Sequence, residues 1–180
     1  MIGASPAAHE PNVSENDQMA SDDTPVQRGP ETIGLVGEGD LAELLPLLRG
    51  YCDFYGVQPS DARLTALSRS LIADREHEGL QLLAREGDGT AVGFATLYWS
   101  WSTARAGRLG VMNDLFVEER ARGRGLADRL VGACVEECRR RGALAMEWET
   151  GLENHRAQAV YDRLGAVRER WLSYSLELGR

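Results

Sequence analysis

One run constrains this chain more than any other: Leu115-Phe116-Val117-Glu118-Glu119-Arg120-Ala121-Arg122-Gly123-Arg124-Gly125-Leu126-Ala127-Asp128-Arg129-Leu130. An apolar strand enters a short, basic, glycine-spaced turn, and the turn opens directly onto an amphipathic helix. Such a turn leaves backbone N–H groups without partners at the positive end of the helix, which makes an anion site suited to phosphate. Gly123 and Gly125 let the backbone approach the anion, and Arg122 and Arg124 add charge. The residues alone therefore predict a diphosphate cradle.

The chain beyond the turn gives it context. A helix over 125–141 carries Leu126, Leu130, Cys134 and Cys138 as a buried stripe at spacing four. A strand from Leu144 to Thr150 comes next, then Asn154, then Tyr161, then Leu164-Gly165-Ala166. The turn reads Arg122-x-x-Gly125-x-Ala127, with a second register at Arg120-x-x-Gly123-x-Gly125. The whole succession resembles the acetyl-CoA-binding half of the GNAT acetyltransferase superfamily, within it the diamine and small-amine acetyltransferases. The resemblance is specific over about residues 91–175, loose over 31–90 and absent in 1–30. It implies a single α/β (α+β) domain: a mixed, mostly antiparallel twisted sheet with helices on both faces. It also implies acetyl-CoA as co-substrate, held by Leu115, Phe116, Val117, Arg122, Gly123, Arg124, Gly125, Leu126, Ala127 and Asn154. A homodimer is the expected assembly.

Composition agrees with one globular domain. The chain has 180 residues, of which 43% are apolar, enough for a core. A net charge of −8 argues against nucleic acid, whose binding needs a broad basic surface, and suits a cationic substrate. No apolar run approaches the ~20 residues that span a bilayer, and no signal-peptide pattern is visible. The three cysteines form no disulfide framework, which fits a reducing, cytoplasmic setting. Cys134 and Cys138 sit four apart on one helix without further ligands at metal-like spacing, so no metal is expected.

Residues 1–30, rich in Pro, Ser, Asn, Asp and Glu, read as a disordered tail ahead of a domain over 31–180. A first strand is predicted over Thr32 to Val36. Asp40 is a candidate N-cap for a helix turning Leu41, Leu44, Leu45 and Leu48 inward, which Pro46 should kink or break. A second helix from about Ser60 should bury Leu64, Leu67, Leu71 and Ile72. Leu80 to Arg85 and Thr90 to Trp99 should form a hairpin about Gly87-Asp88-Gly89, whose glycines supply positive φ. A polar loop over 100–108 and a strand over 109–117 lead to the cradle. Arg139, Arg140 and Arg141 suit the negative end of their helix. Asn154 to Leu164 reads as the last helix, and a final strand lies around 170–178.

The chemistry of amine acylation names further candidates. An ammonium of pKa ~10.4 must lose its proton before attack, at a cost of roughly 4–5 kcal/mol at pH 7, and a carboxylate can receive it. Asp114, Glu147 and Glu149 are available, with Glu147 and Glu149 on one face of their predicted strand. Where the diamine acetyltransferases carry a glutamate before the aspartate, this chain has Asn113, which can hold an ammonium by its carbonyl but cannot take its proton. Glu149, acting through water, is therefore the first choice of base and Asp114 the second. The resemblance implies Tyr161 as general acid toward the leaving thiolate and a backbone N–H within 113–116 as oxyanion donor. Asp53 and Tyr55, in the cluster with Tyr51 and Phe54, occupy the expected acceptor wall together with Asn113 and Glu147. Trp99 and Trp101 share a strand face as core or dimer contacts.

Other readings remain open at this level. Acylation of a protein N-terminus or lysine would need an open peptide groove, and a non-catalytic acyl-CoA-binding module would bind without turnover. A dinucleotide-binding oxidoreductase is suggested by Ile33 to Ala42, which reads strand, Gly-x-Gly-x-x-Ala, helix. That unit lacks the parallel strand ending in an acid, and Glu38 and Asp40 bring the wrong charge to a pyrophosphate.

Overall fold

Five strands and four α-helices succeed one another in the computed structural model, which describes residues 31–178. They are β1 (Thr32–Leu35), α1 (Leu41–Phe54), α2 (Asp61–Ala73), β2 (Gly79–Arg85), β3 (Ala91–Ser102), β4 (Gly107–Val117), α3 (Leu126–Arg140), β5 (Ala145–Glu147) and α4 (His155–Arg163). The tail read over 1–30 lies outside the described residues. The strands pair in chain order, antiparallel throughout except for the parallel pair β4–β5. This is the mixed, mostly antiparallel sheet that the resemblance implies.

Alternation along β2 and β3 divides the core. Leu80, Leu82, Ala84, Val92 and Leu97 pack with Leu126, Leu130, Cys134 and Cys138 of α3. Leu83 and Phe94 face the other way, onto Leu44, Leu47, Leu48 and Cys52 of α1 and Leu64 of α2. Helices thus cover both faces, and the stripe at spacing four on α3 is buried along its length. Glu137 is buried on the same helix and pairs with Arg140 and Arg141, while Arg139 pairs with Glu136. The three arginines therefore tie down the helix end.

Several local expectations need correction. α1 runs unbroken through Pro46. The proline costs about 3 kcal/mol in a helix interior, and burial of Leu44, Leu47, Leu48 and Cys52 outweighs that. The carbonyl of Ala42, which would have bonded the missing N–H, belongs to an exposed residue that water can reach. Leu67 is exposed on α2, so its stripe is narrower than predicted. In the β2–β3 turn Gly89 has positive φ, as predicted. Most of the predicted loop over 100–108 is strand, because β3 and β4 stay paired out to Ser102 and Gly107. Trp99 and Trp101 part company: Trp99 donates to the Arg75 carbonyl at 2.8 Å and lies between Arg108 and Arg141, while Trp101 is 78% exposed. The strand predicted to Thr150 ends at Glu147, and no strand forms over 170–178.

The start of the chain disposes of the dinucleotide reading. β1 pairs antiparallel with β2, so no parallel βαβ unit exists there. The Gly37 N–H is taken at 2.8 Å by Asp40, whose carboxylate also accepts from Arg85. Asp40 thus closes the turn before α1 and leaves no cradle for a pyrophosphate.

Candidate active site

β4 and β5 pair only over Leu109–Val111 and Ala145–Glu147, and beyond those residues they diverge. The divergence opens a cleft of about 680 Å³ between the second half of β4 and α4. Parting strands leave alternate peptide groups of β4 without a ladder partner on the cleft side. A bulge strengthens this effect: Leu97 faces Met112 and Thr96 faces Asp114, so Asn113 is the extra residue. The bulge turns Asn113 outward into the cleft while Asp114 stays buried.

The cradle closes one end of the cleft. After a single 3₁₀ turn at Glu119–Ala121, Gly123 and Gly125 adopt φ of 81° and 77°, a left-handed conformation that strains any residue with a Cβ. Gly125 caps α3 without a side-chain bond. Among the described residues, the N–H groups of residues 123–128 find no protein acceptor, and the first helical bond runs from Arg129 N–H to Gly125. A Cβ on Gly123 or Gly125 would meet no protein atom within 4 Å. Open space in front of a row of unpaired donors is what a diphosphate requires. Gly123, Gly125, Leu126 and Ala127 all border the cleft, as do Leu115, Phe116 and Val117 of the strand before them.

The arginines behave differently from expectation. Arg122 borders the cleft and donates to the Val117 carbonyl at 2.7 Å, with its guanidinium near the Phe116 ring. Arg124 does not border it: Arg124 and Arg120 bond the two oxygens of Glu86 at 2.7 and 2.8 Å. Glu86 follows β2 in the hairpin turn and its side chain is only 4% exposed. A buried carboxylate clamped by two arginines pins the cradle to the sheet, and the phosphate-facing surface is left to backbone donors. Sequence reasoning missed Glu86 because an acid beside Gly-Asp-Gly reads as a solvated turn. Arg156, in the first turn of α4, also borders the cleft and forms no ion pair among the described residues. Its place two residues after Asn154 was the available signal.

Tyr161 and Asn154 border the cleft from α4. Asn154 caps that helix, accepting from Ala157 N–H at 3.2 Å. Tyr161 is half-buried edge-on against Trp148, with ring centroids 5.1 Å apart. Burial, and secondarily the neighbouring Tyr55, push its phenol above the usual tyrosine value, so it holds its proton through neutral pH. Glu149 and Thr150 form the facing wall. Glu147 points elsewhere and pairs with Arg105 at 3.2 Å, because β5 ends there and the chain turns. Two acids that share a face of one strand in the sequence are thereby separated.

Tyr51, Phe54 and Tyr55, at the end of α1, border the cleft, whereas Asp53 is exposed outside it. Helical geometry explains the split, since only one side of this last turn meets β4. The Tyr51 ring lies 4.9 Å from Tyr55 and its hydroxyl points to the Asn113 carbonyl at 3.5 Å. Asp114 lies behind this layer, 8% exposed, and accepts from the Asn113 side-chain amide at 2.9 Å. Burial first, then the Asp114 charge, raise the Tyr51 phenol and push that of Tyr98 up to about 12. No cation pairs with Asp114 among the described residues, although buried carboxylates normally need one. Burial also lifts the thiols of Cys134 to about 12 and Cys138 to about 11, and it raises that of Cys52. Among the described residues no group of acids, histidines and cysteines could hold a metal ion, and no helix is long and apolar enough to cross a membrane.

Comparison with known proteins agrees with this geometry. The model of the acetyltransferase (GNAT) family matches residues 44–166. An uncharacterized N-acetyltransferase of Bacillus subtilis (strain 168), YhfO, is 35% identical over 127 residues, spanning 70% of this chain and 83% of that protein. The D-amino-acid N-acetyltransferase HPA3 of Saccharomyces cerevisiae is 34% identical over 76 residues, or 42% of this chain and 47% of its own length. Among solved structures, that of a probable acetyltransferase has a TM-score of 0.73 at 26% identity, covering 83% of this chain and 99% of the other. The aminoglycoside N-acetyltransferase AAC(6')-Iy in complex with CoA shares the fold, with a TM-score of 0.73 at 24% identity over 85% of this chain and 99% of that one.

Proposed function

The chain belongs to the acetyltransferase (GNAT) family and is an acetyl-CoA-dependent N-acetyltransferase, and from that premise we propose that its acceptor is a small cationic primary amine, acetylated directly within a ternary complex. The observation that carries this reading is the Asn113–Asp114 pair. Asp114 holds the Asn113 amide by its N–H, leaving the amide oxygen free on the cleft side with a buried negative charge behind it. That oxygen receives an ammonium, and the rings of Tyr51, Phe54 and Tyr55 add cation–π attraction. The acidic balance of the whole chain favours the same kind of substrate.

Each step of transfer has a group suited to it. Acetyl-CoA, gripped at its diphosphate by the cradle, would supply the acetyl group at the far end of its pantetheine arm. Glu149, exposed on the wall, takes the ammonium proton through a water, which frees the nitrogen lone pair. As the new N–C bond forms, a peptide N–H of the β4 bulge stabilises the carbonyl oxygen, an effect typically worth ~3–4 kcal/mol per donor. Tyr161 gives its phenolic proton to the departing thiolate as the C–S bond breaks, and the second proton, shed by the newly acylated nitrogen, restores the phenol. No cysteine takes part, because all three thiols are buried and held protonated.

A panel of amines, amino acids and peptides, read by thiol release from acetyl-CoA, tests the reading. Small diamines or amino sugars should give the highest kcat/KM. Asp114→Asn should raise KM for charged acceptors by about tenfold or more, the worth of a charge-assisted hydrogen bond, while acetyl-CoA affinity stays level. Peptide N-termini outrunning every small amine would overturn the acceptor class. Tight CoA binding without turnover of any amine would overturn the enzymatic reading of the cleft.

A further inference from the structure

We propose that the ion pair between Asp128 and Arg163 is a strut that sets the position of Tyr161 in the cleft, so that both residues serve transfer through Tyr161. The inference rests on Tyr161 being the general acid, as read above. Asp128 lies in the first turn of α3, and Arg163 is the last residue of α4. One guanidinium nitrogen of Arg163 meets both oxygens of Asp128 at 3.1 Å. The other donates to the Ala159 carbonyl of its own helix at 3.1 Å, which fixes the guanidinium on α4. The pair therefore joins two helices that border the cleft, and both side chains line it.

Little else holds α4. None of its residues is buried, and Gln158 bonds only the Gly151 and Leu152 carbonyls of the loop just before it. The Tyr161 ring packs against Trp148. Among the described residues no other hydrogen bond or ion pair joins α4 to α3 or to the sheet. A ring contact alone lets the helix roll about it, and a second tie two residues further on removes that roll. The charge of Asp128 supports the same role. An acid suits the first turn of a helix, but here it stands beside N–H groups that face a diphosphate and would repel it. Arg163 neutralises that charge. The pair is too exposed to add much stability, with Arg163 at 58% and Asp128 at 26%. Its effect lies in geometry, where a displacement of about 1 Å can cost about a hundredfold in rate.

Asp128→Asn keeps the shape of the side chain and breaks the ion pair. It should lower kcat by about tenfold or more, while CoA affinity measured by calorimetry holds or tightens, because a negative charge leaves the cradle. A general loosening of the fold would weaken both together. Amide exchange should quicken over 155–164 and stay level over 126–140. Arg163→Gln should lower kcat likewise, Arg163→Lys should recover most of it, and the Asp128→Asn/Arg163→Gln double variant should be no worse than either single one. In a Tyr161→Phe background, Asp128→Asn should cost nothing further. Wild-type kcat in Asp128→Asn, or CoA binding that weakens in step with kcat, overturns the strut and leaves the acid in place. A full further loss in the Tyr161→Phe background overturns action through Tyr161. Full activity of Tyr161→Phe by itself overturns the acid, and the strut with it.

Discussion

Replacing Glu86 with glutamine isolates what holds the cradle in shape. The substitution keeps the volume of a side chain that is 4% exposed, but removes its charge and one of its two acceptor oxygens. Arg120 and Arg124 then compete for one neutral oxygen. A hydrogen bond to a charged group contributes ~1.5–3 kcal/mol, and both arginines are half-exposed, so water recovers part of that. Global stability should therefore fall modestly. The larger effect should appear in the turn at 122–125, which must be re-ordered before its N–H groups can converge on a diphosphate. If that ordering is drawn from binding, CoA affinity should drop by about tenfold to a hundredfold at ~1.4 kcal/mol per decade. Calorimetric titration of CoA measures the drop directly. The decisive control is kcat/KM with S-acetyl-N-acetylcysteamine, a thioester that lacks the diphosphate and should be used equally well by both proteins. Equal losses with both thioesters would show a merely structural role. Unchanged or tighter CoA binding would show that a freed Arg124 grips phosphate as well as the ordered backbone does, and would refute the clamp.

Gly125→Val should abolish measurable CoA binding in a folded protein, because its side chain fills the open cradle and its φ of 77° is strained for valine; unchanged affinity would remove the cradle assignment. Tyr161→Phe should lower kcat by roughly 10²–10⁴-fold, the usual scale for a general acid, with acetyl-CoA KM level. Its raised phenol moves the alkaline fall of wild-type kcat to higher pH than an ordinary tyrosine would give. Glu149→Gln should depress the rising limb of the kcat/KM–pH profile; a silent Glu149→Gln beside a dead, folded Asp114→Asn would move the base to β4. Mass spectrometry after mixing with acetyl-CoA alone should find no acetyl-cysteine, since Cys134 and Cys138 stay protonated to about pH 12 and 11. Those thiols and Tyr98 have folded pKa values above their unfolded ones, so the folded state binds the extra protons. Stability should accordingly hold steady below about pH 8.5 and decline as pH rises past the unfolded thiol and phenol values. Denaturant midpoints at pH 8 and pH 10.5 check the sign.

Elements whose signals are local can be read from the chain alone. The strand–turn–helix of the cradle was legible because glycine spacing, helix polarity and an apolar stripe at spacing four all lie within one short run. The same holds for α2 behind its Ser60 cap, for α4 behind Asn154, and for the β2–β3 hairpin about its glycine turn. Features that depend on a partner distant in the chain were settled by packing. Pro46 stays inside α1 because burial against Phe94 and Leu83 outweighs a lost hydrogen bond. Arg124 serves Glu86, thirty-eight residues away, and no local pattern announces that pairing. Glu147 and Glu149 separate because β5 stops where β4 diverges, and that divergence creates the cleft. A bulge opposite Leu97 decides that Asn113 meets solvent while Asp114 goes inside. The alternating segment 170–178 marks the boundary between the two kinds of information. Its period specifies a strand, but a strand exists only on an edge that accepts it, and the edge belongs to the assembled sheet.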